Sequence, residues 1–279
     1  MKTSFANWFI EKVGHWLLKN EPPRRAYLCH YDQIKKIAEP CDVILIEGRN
    51  RISNIIQLIT KSPWSHACLY VGRIEEITDP EMQKLIQTHY QGKLDEPLII
   101  ESEIGFGTIV SPLSKYQDDH IRLLRPRGLS TEDAIKVIEY AAERLGVKYS
   151  TRHVFDLARF LFPWGAYPRR WRSSLFQHNA LQPTEDICSS MIADAFQSIQ
   201  FPILPLVTQD QKKNIELIER NPRLFTPSDF DFSPYFSVIK YPIFNLEDIN
   251  LSDLPWKKGV ISDDRGVLRH LDNMMKKKE

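Results

Sequence analysis

The spacing of apolar residues changes several times along the chain, and each change marks an element. Cys41 to Gly48 (CDVILIEG) is a continuous apolar run closed by a turn and reads as a buried strand. Ile52 to Thr60 has helical periodicity and stops at Ser62-Pro63. Trp64 to Gly72 reads as a half-buried strand, and Asp79 to Leu94 as a polar excursion before the next strand, Leu98 to Glu103. Alternation there puts Glu101 and Glu103 on one face and Ser102 on the other. Gly105 and Gly107 break that strand, and His120 to Arg125 resumes the sheet before Pro126. Ser130, followed by Glu132 and Asp133, opens a helix whose apolar stripe is Ala134, Val137, Ile138, Ala141 and Leu145, ending at Gly146. A last helical stripe, Met191, Ile192, Ala195, Phe196 and Ile199, follows Cys188.

Outside this block the pattern is looser. Phe5, Trp8, Phe9, Val13, Trp16 and Leu17 form one helical stripe with Lys2, Lys12 and Lys19 off it, ended by Pro22-Pro23, and a short helix covers Asp32 to Ala38. The stripe fits docking on the protein's own core, contact with a membrane surface, or a partner. After Cys188 come the proline-studded stretch Phe201 to Pro205, a polar helix near Lys212 to Arg220, a region around Pro227-Ser228-Asp229-Phe230, and a frayed lysine-rich tail after Met274.

A chain of 279 residues with 42% hydrophobic content holds one large domain or two small ones. The 37 basic and 36 acidic residues nearly cancel, which gives no reason to expect nucleic acid as a partner. Four cysteines, Cys29, Cys41, Cys68 and Cys188, form no CxxC pair, so neither a zinc knuckle nor a disulfide scaffold is expected, and no metal or other cofactor. Asn7, Glu11, Lys12 and His15 interrupt the N-terminal apolar stretch, and no later run is long enough to span a bilayer. A soluble, cytoplasmic protein is expected, with peripheral membrane contact through residues 1–19 and 152–175 as an option.

The candidate chemistry lies in Glu185-Asp186-Ile187-Cys188-Ser189-Ser190-Met191, where a cysteine stands at the start of a helix. Unpaired backbone N–H groups in a first turn favour a thiolate, and a thiolate attacks carbonyl carbon. His66, in Trp64-Ser65-His66-Ala67-Cys68, supplies a base, and Glu101 a third polar group to orient it. Each also has a plain reading: Cys188 as a small buried hydrophobe, His66 as a satisfied core histidine, Glu101 as an edge residue facing water.

In their order along the chain these elements resemble the circularly permuted branch of the NlpC-type papain-fold cysteine hydrolases, the YiiX-like group, over roughly residues 40 to 200. Asp42-Val43-Ile44-Leu45 matches the opening strand, Trp64-Ser65-His66 the histidine strand, Ile100-Glu101-Ser102 the next, Leu123-Leu124-Arg125 a leucine-arginine strand, and Cys188-Ser189 the nucleophile helix. Histidine precedes cysteine here, as in the permuted branch. The resemblance implies Cys188 as nucleophile, His66 as base and Glu101 as the orienting residue, with Glu103 as a substitute for the third role. It further implies Trp64, Tyr149 and Ser189 as substrate-binding, Tyr149 being equally readable as packing. Cys41 stands where the family often has glycine.

The expected architecture is α+β: an antiparallel sheet packed against helices that include the nucleophile helix, in a permuted papain-like fold. Residues 1–39 form an amphipathic helical extension, 40–200 the catalytic domain with an aromatic- and arginine-rich insertion at 152–186, and 201–279 an extension packing on it. The insertion is either a lid or lipid-facing surface, or a subdomain covering the core. Cleavage of an amide bond in a peptide or modified protein, through an acyl-enzyme on Cys188, is the leading expectation. Lipid acyl hydrolysis or transfer is the second, and a binding module with an idle thiol the third.

Overall fold

The computed structural model describes residues 19–20, 30–103, 106–147, 188–209, 213–240, 250–262 and 268–270. The opening apolar stripe, Cys29, Tyr149, the 152–186 insertion and the tail after Met274 lie outside them.

Helix α1 (Tyr31–Ile37) leads into β1 (Val43–Glu47), α2 (Arg51–Thr60) and β2 (His66–Gly72). Then come α3 (Pro80–His89), β3 (Leu98–Glu103), β4 (Gly107–Pro112), a 3-10 turn (Leu113–Tyr116), β5 (His120–Pro126) and α4 (Thr131–Ala142). Helix α5 (Cys188–Gln197), β6 (Leu206–Gln209), β7 (Ile215–Ile218), α6 (Pro227–Phe232), β8 (Phe236–Ile239), β9 (Val260–Ser262) and β10 (Leu268–His270) complete the described elements. One sheet of six antiparallel strands, ordered β4-β3-β2-β1-β5-β8, organises the molecule. This is the α+β arrangement expected.

The central strands are apolar on both sides because both faces of the sheet are covered. Val43, Leu45, Ala67, Leu69, Leu98 and Ile100 face α3, α4 and α5, meeting Met82, Ile86, Val137, Ile138, Met191, Ile192 and Phe196. Ile44, Ile46, Cys68, Tyr70, Ile99 and Leu123 face the other way, onto Ile34 of α1 and Leu113 of the 3-10 turn. Burying each of these aliphatic side chains is worth about 1.5–3 kcal/mol. Beyond α5, Phe201, Phe225, Phe230 and Phe236 close the first layer, with Phe196 and Phe236 edge to face at 5.3 Å.

Three readings change. Residues 79–94, read as a polar excursion, hold α3: Asp79 accepts from the Glu81 N–H at 2.8 Å, Pro80 occupies the first helical position, and only Met82 and Ile86 are buried, so the apolar stripe is thin. The glycines after Glu103 do not end the sheet locally, because Gly107 opens β4, which pairs with β3 along its length. The expected polar helix at 212–220 is a strand, β7, in a hairpin with β6. Ile215 and Leu217 alternate with Glu216 there, the period of a strand. The segment beyond residue 200 also supplies β8, whose Ile239, Val238, Ser237 and Phe236 pair with Leu123, Leu124, Arg125 and Pro126. No described helix is long and apolar enough to cross a membrane.

Candidate active site

The start of β2 is tied to the end of β1. Ser65 donates its N–H to the Ile46 carbonyl at 3.0 Å, and its hydroxyl accepts the Gly48 N–H at 3.0 Å. A Cβ at Gly48 would lie 2.2 Å from Ser53 Oγ and 2.9 Å from Ser65 Oγ, so only glycine lets the chains approach this closely. His66 follows at once and therefore projects from a fixed strand end. The first turn of α5 is fixed as firmly: the Ser189 hydroxyl donates to the Phe225 carbonyl at 2.6 Å, and Met191 and Ile192 pack with Ala67 and Leu69 of β2.

These anchors bring Cys188 and His66 together. The imidazole hydrogen-bonds the thiol, and the backbone N–H groups of Ala67 and Ser189 also reach the sulfur, which is nearly buried. His66 Nε2 lies 2.7 Å from Glu101 Oε2. With Nε2 engaged, Nδ1 is the nitrogen left for Cys188, and the carboxylate favours the tautomer whose proton sits on Nε2.

Burial alone would drive both partners neutral, but each charges the other. Against the burial penalty, the His66 charge, its hydrogen bond and the two backbone N–H groups hold the Cys188 thiol below its ordinary value. Burial would lower His66, yet its interactions with Cys68 and Cys188 leave it well above its ordinary value. Cys68 is pushed by burial up to about 12 and stays a neutral thiol near pH 7. The two shifts run in the directions that favour a thiolate–imidazolium pair.

Residues 38–160 match a family model described as permuted papain-like amidase enzyme, YaeF/YiiX, C92 family. This part of the chain is similar to that family. The match covers the strands of His66 and Glu101 and ends before Cys188, which the described fold supplies from α5. No curated protein matches the chain. The antiparallel sheet with its covering helices agrees with a permuted papain-like fold, and the match supports a cysteine hydrolase of the amidase kind as the general class.

Two motif residues of the permuted papain-like domain meet away from the thiol. Arg125 grips Asp42 through both carboxylate oxygens at 2.9 Å each and also reaches Glu39 and the Ile37 carbonyl. This bidentate pair anchors the start of β1. Just before it, Cys41 adopts φ +74°, the left-handed conformation that glycine takes without steric cost, which gives the glycine implied there by the resemblance a physical reason.

Glu101 is fully buried and accepts more than the imidazole. Tyr116 donates to Oε2 at 2.5 Å, the Cys68 thiol approaches the same oxygen at 3.6 Å, and Lys115 Nζ donates to Oε1 at 2.8 Å. Although burial opposes ionisation, the His66 hydrogen bond and the Lys115 charge hold this carboxyl well below the usual range. Glu103, the expected substitute, instead shares Lys115 at 2.8 Å. Lys115 and Tyr116 escaped the sequence reading because they sit in a short 3-10 turn with no motif. His66, Cys68 and Glu101 have donor types suited to a metal, with ligand atoms within 4.8 Å of one another. His66 and Cys68 are directed at one oxygen of Glu101, with the Lys115 ammonium on the other, so the cluster is a hydrogen-bond hub carrying its own cation.

The residues expected to touch substrate fare differently. Trp64 is 1% exposed: its Nε1 donates to Asp231 at 3.0 Å, the Arg122 guanidinium lies 4.7 Å from its ring centre, and His120 flanks it at 5.2 Å. The Ser189 side chain is buried and spent on Phe225, leaving its backbone N–H toward the sulfur. Tyr149 lies outside the described residues, as do 152–175 and all of 1–19 except Lys19.

Proposed function

We propose that the protein is a cysteine amidase that cleaves an amide bond of a peptide or modified protein through a thioester on Cys188. The observation that carries this reading is the shared hydrogen-bond line from Cys188 through His66 to Glu101, with the thiol held down and the imidazole held up. The thiolate attacks the carbonyl carbon, forming a C–S bond, and N–H groups at the first turn of α5 offer donors for the developing oxyanion. His66 gives its Nδ1 proton to the departing amine as the C–N bond breaks. Water then enters, His66 takes its proton, and attack on the thioester releases acid and restores the thiolate. Glu101 stays ionised throughout and keeps the imidazole in one orientation.

The test is intact mass after exposure to activated acyl esters, thioesters and peptide amides, for wild type, Cys188→Ala and His66→Ala. The expected result is a wild-type adduct absent from both variants, with turnover of amides. An adduct that persists in Cys188→Ala overturns the assignment of the nucleophile. Trapping from long-chain acyl esters with no turnover of amides supports lipid acyl chemistry in its place.

A further inference from the structure

Lys115 lies one residue from Tyr116 on the 3-10 turn that returns from β4, and both side chains close over Glu101 from outside the sheet. Its ammonium touches two carboxylates at 2.8 Å each and is 32% exposed. A lysine satisfied by a surface glutamate alone has no need to reach a fully buried one. The buried oxygen it holds belongs to the carboxylate whose other oxygen meets His66. We propose that Lys115 is a positioning residue: shared between Glu101 and Glu103, its ammonium fixes the Glu101 carboxylate against His66 and balances its charge, so that the Cys188–His66 pair works in a set pH range. The inference rests on the function proposed above and deepens it.

Titratable groups meet at His66 directly and, through Glu101, at one remove. Cys188 comes from α5, Cys68 from β2, Glu101 and Glu103 from β3, and Lys115 and Tyr116 from the 3-10 turn. Cys68 and Tyr116 stay protonated near neutral pH, because burial pushes both up. The carboxylate side of His66 is thus two anions and one cation. Removing the cation leaves the imidazolium beside two negative charges and makes its proton harder to lose; it also makes a further anion at Cys188 harder to form. Removing Glu103 does the reverse on both counts.

Opposite shifts distinguish charge balance from mere support. The measurement is the alkylation rate of Cys188 by iodoacetamide against pH, read by peptide mass, with the His66 titration followed by NMR, in the full chain. For Lys115→Met both transitions are expected to move up by on the order of half to one pH unit; for Glu103→Gln both are expected to move down by a similar amount, the exposure of the lysine keeping the shifts modest. Lys115→Arg, which keeps the charge, is expected to retain the wild-type profile. Glu103 is partly exposed, so Glu103→Gln reads out even if Lys115→Met does not fold. A wild-type Cys188 that alkylates like an ordinary thiol defeats the proposed function itself. An activated wild type whose two variants shift together, or not at all, defeats the role of Lys115 alone.

Discussion

Replacing Glu101 with alanine removes the acceptor on which His66, Tyr116, Lys115 and the Cys68 thiol converge, and the structure sets the cost. Tyr116 loses its partner at 2.5 Å, His66 Nε2 loses its partner at 2.7 Å, and Lys115 keeps only Glu103. An unpaired buried donor costs about 1–3 kcal/mol. His66 and Lys115 retain 19% and 32% of their side-chain exposure, so water recovers part of that for both. The expected loss is therefore about 3–5 kcal/mol, the range for breaking a buried ion pair by removing one partner. Glu101→Gln keeps the shape and one acceptor and should cost about 1–3 kcal/mol. The assay is urea unfolding at pH 7, with the difference taken from the midpoint at constant slope. The pH dependence has a definite sign. Glu101 titrates lower in the folded state than in the unfolded chain, so its contribution is fully present above the unfolded carboxyl value near 4.3 and is lost as pH falls below it toward the folded value. The gap between wild type and Glu101→Gln should narrow as pH drops from about 5 to 3. An alanine variant within about 1 kcal/mol of wild type at pH 7 would refute the reading of Glu101 as a buried hub.

Two further outcomes follow from neighbouring side chains. Trp64→Phe gives up the hydrogen bond to Asp231 and part of the ring face under Arg122, and is expected to destabilise by about 1–3 kcal/mol while Cys188 alkylates at the wild-type rate; unchanged stability with a raised KM would instead make Trp64 a substrate contact. The Ser190 hydroxyl is buried without a hydrogen-bond partner among the described residues, so Ser190→Ala is expected to leave the melting temperature unchanged or raise it, by up to about 2 kcal/mol in stability; a clear drop would mean the hydroxyl is satisfied in solution.

The sequence was most legible where burial is one-sided or total. The runs at 43–47, 66–72, 98–103 and 120–126 announce strands because both faces meet apolar layers, and the helix after Ser130 carries cap, stripe and closing glycine together. The same pattern placed Glu101 and Glu103 on one face, and the shared Lys115 reflects it. Legibility failed where few side chains are buried or the deciding contact is distant. Helix α3 hides only two residues, and β6 and β7 hide none, so neither has a strong apolar signature. Lys115 reaches Glu101 only because β4 folds back on β3 and the turn after Pro112 swings over it, a tertiary consequence with no local signal. Trp64 illustrates the converse: beside a candidate base its sequence position suggests a ligand contact, while its ring is enclosed by Arg122, His120 and Asp231, the last from 167 residues further along.

The late arrival of β8 has a consequence for biosynthesis. On the ribosome, His66 and its glutamate emerge long before the thiol, and the outer edge of β5 has no neighbour until Phe236–Ile239 follows, roughly a hundred residues and about 6–20 seconds later. Throughout that interval the nascent chain shows an open strand edge suited to chaperones or to aggregation. Cys188 follows five of the six strands of that sheet along the chain, so its meeting with His66 waits until nearly all of the sheet has been made.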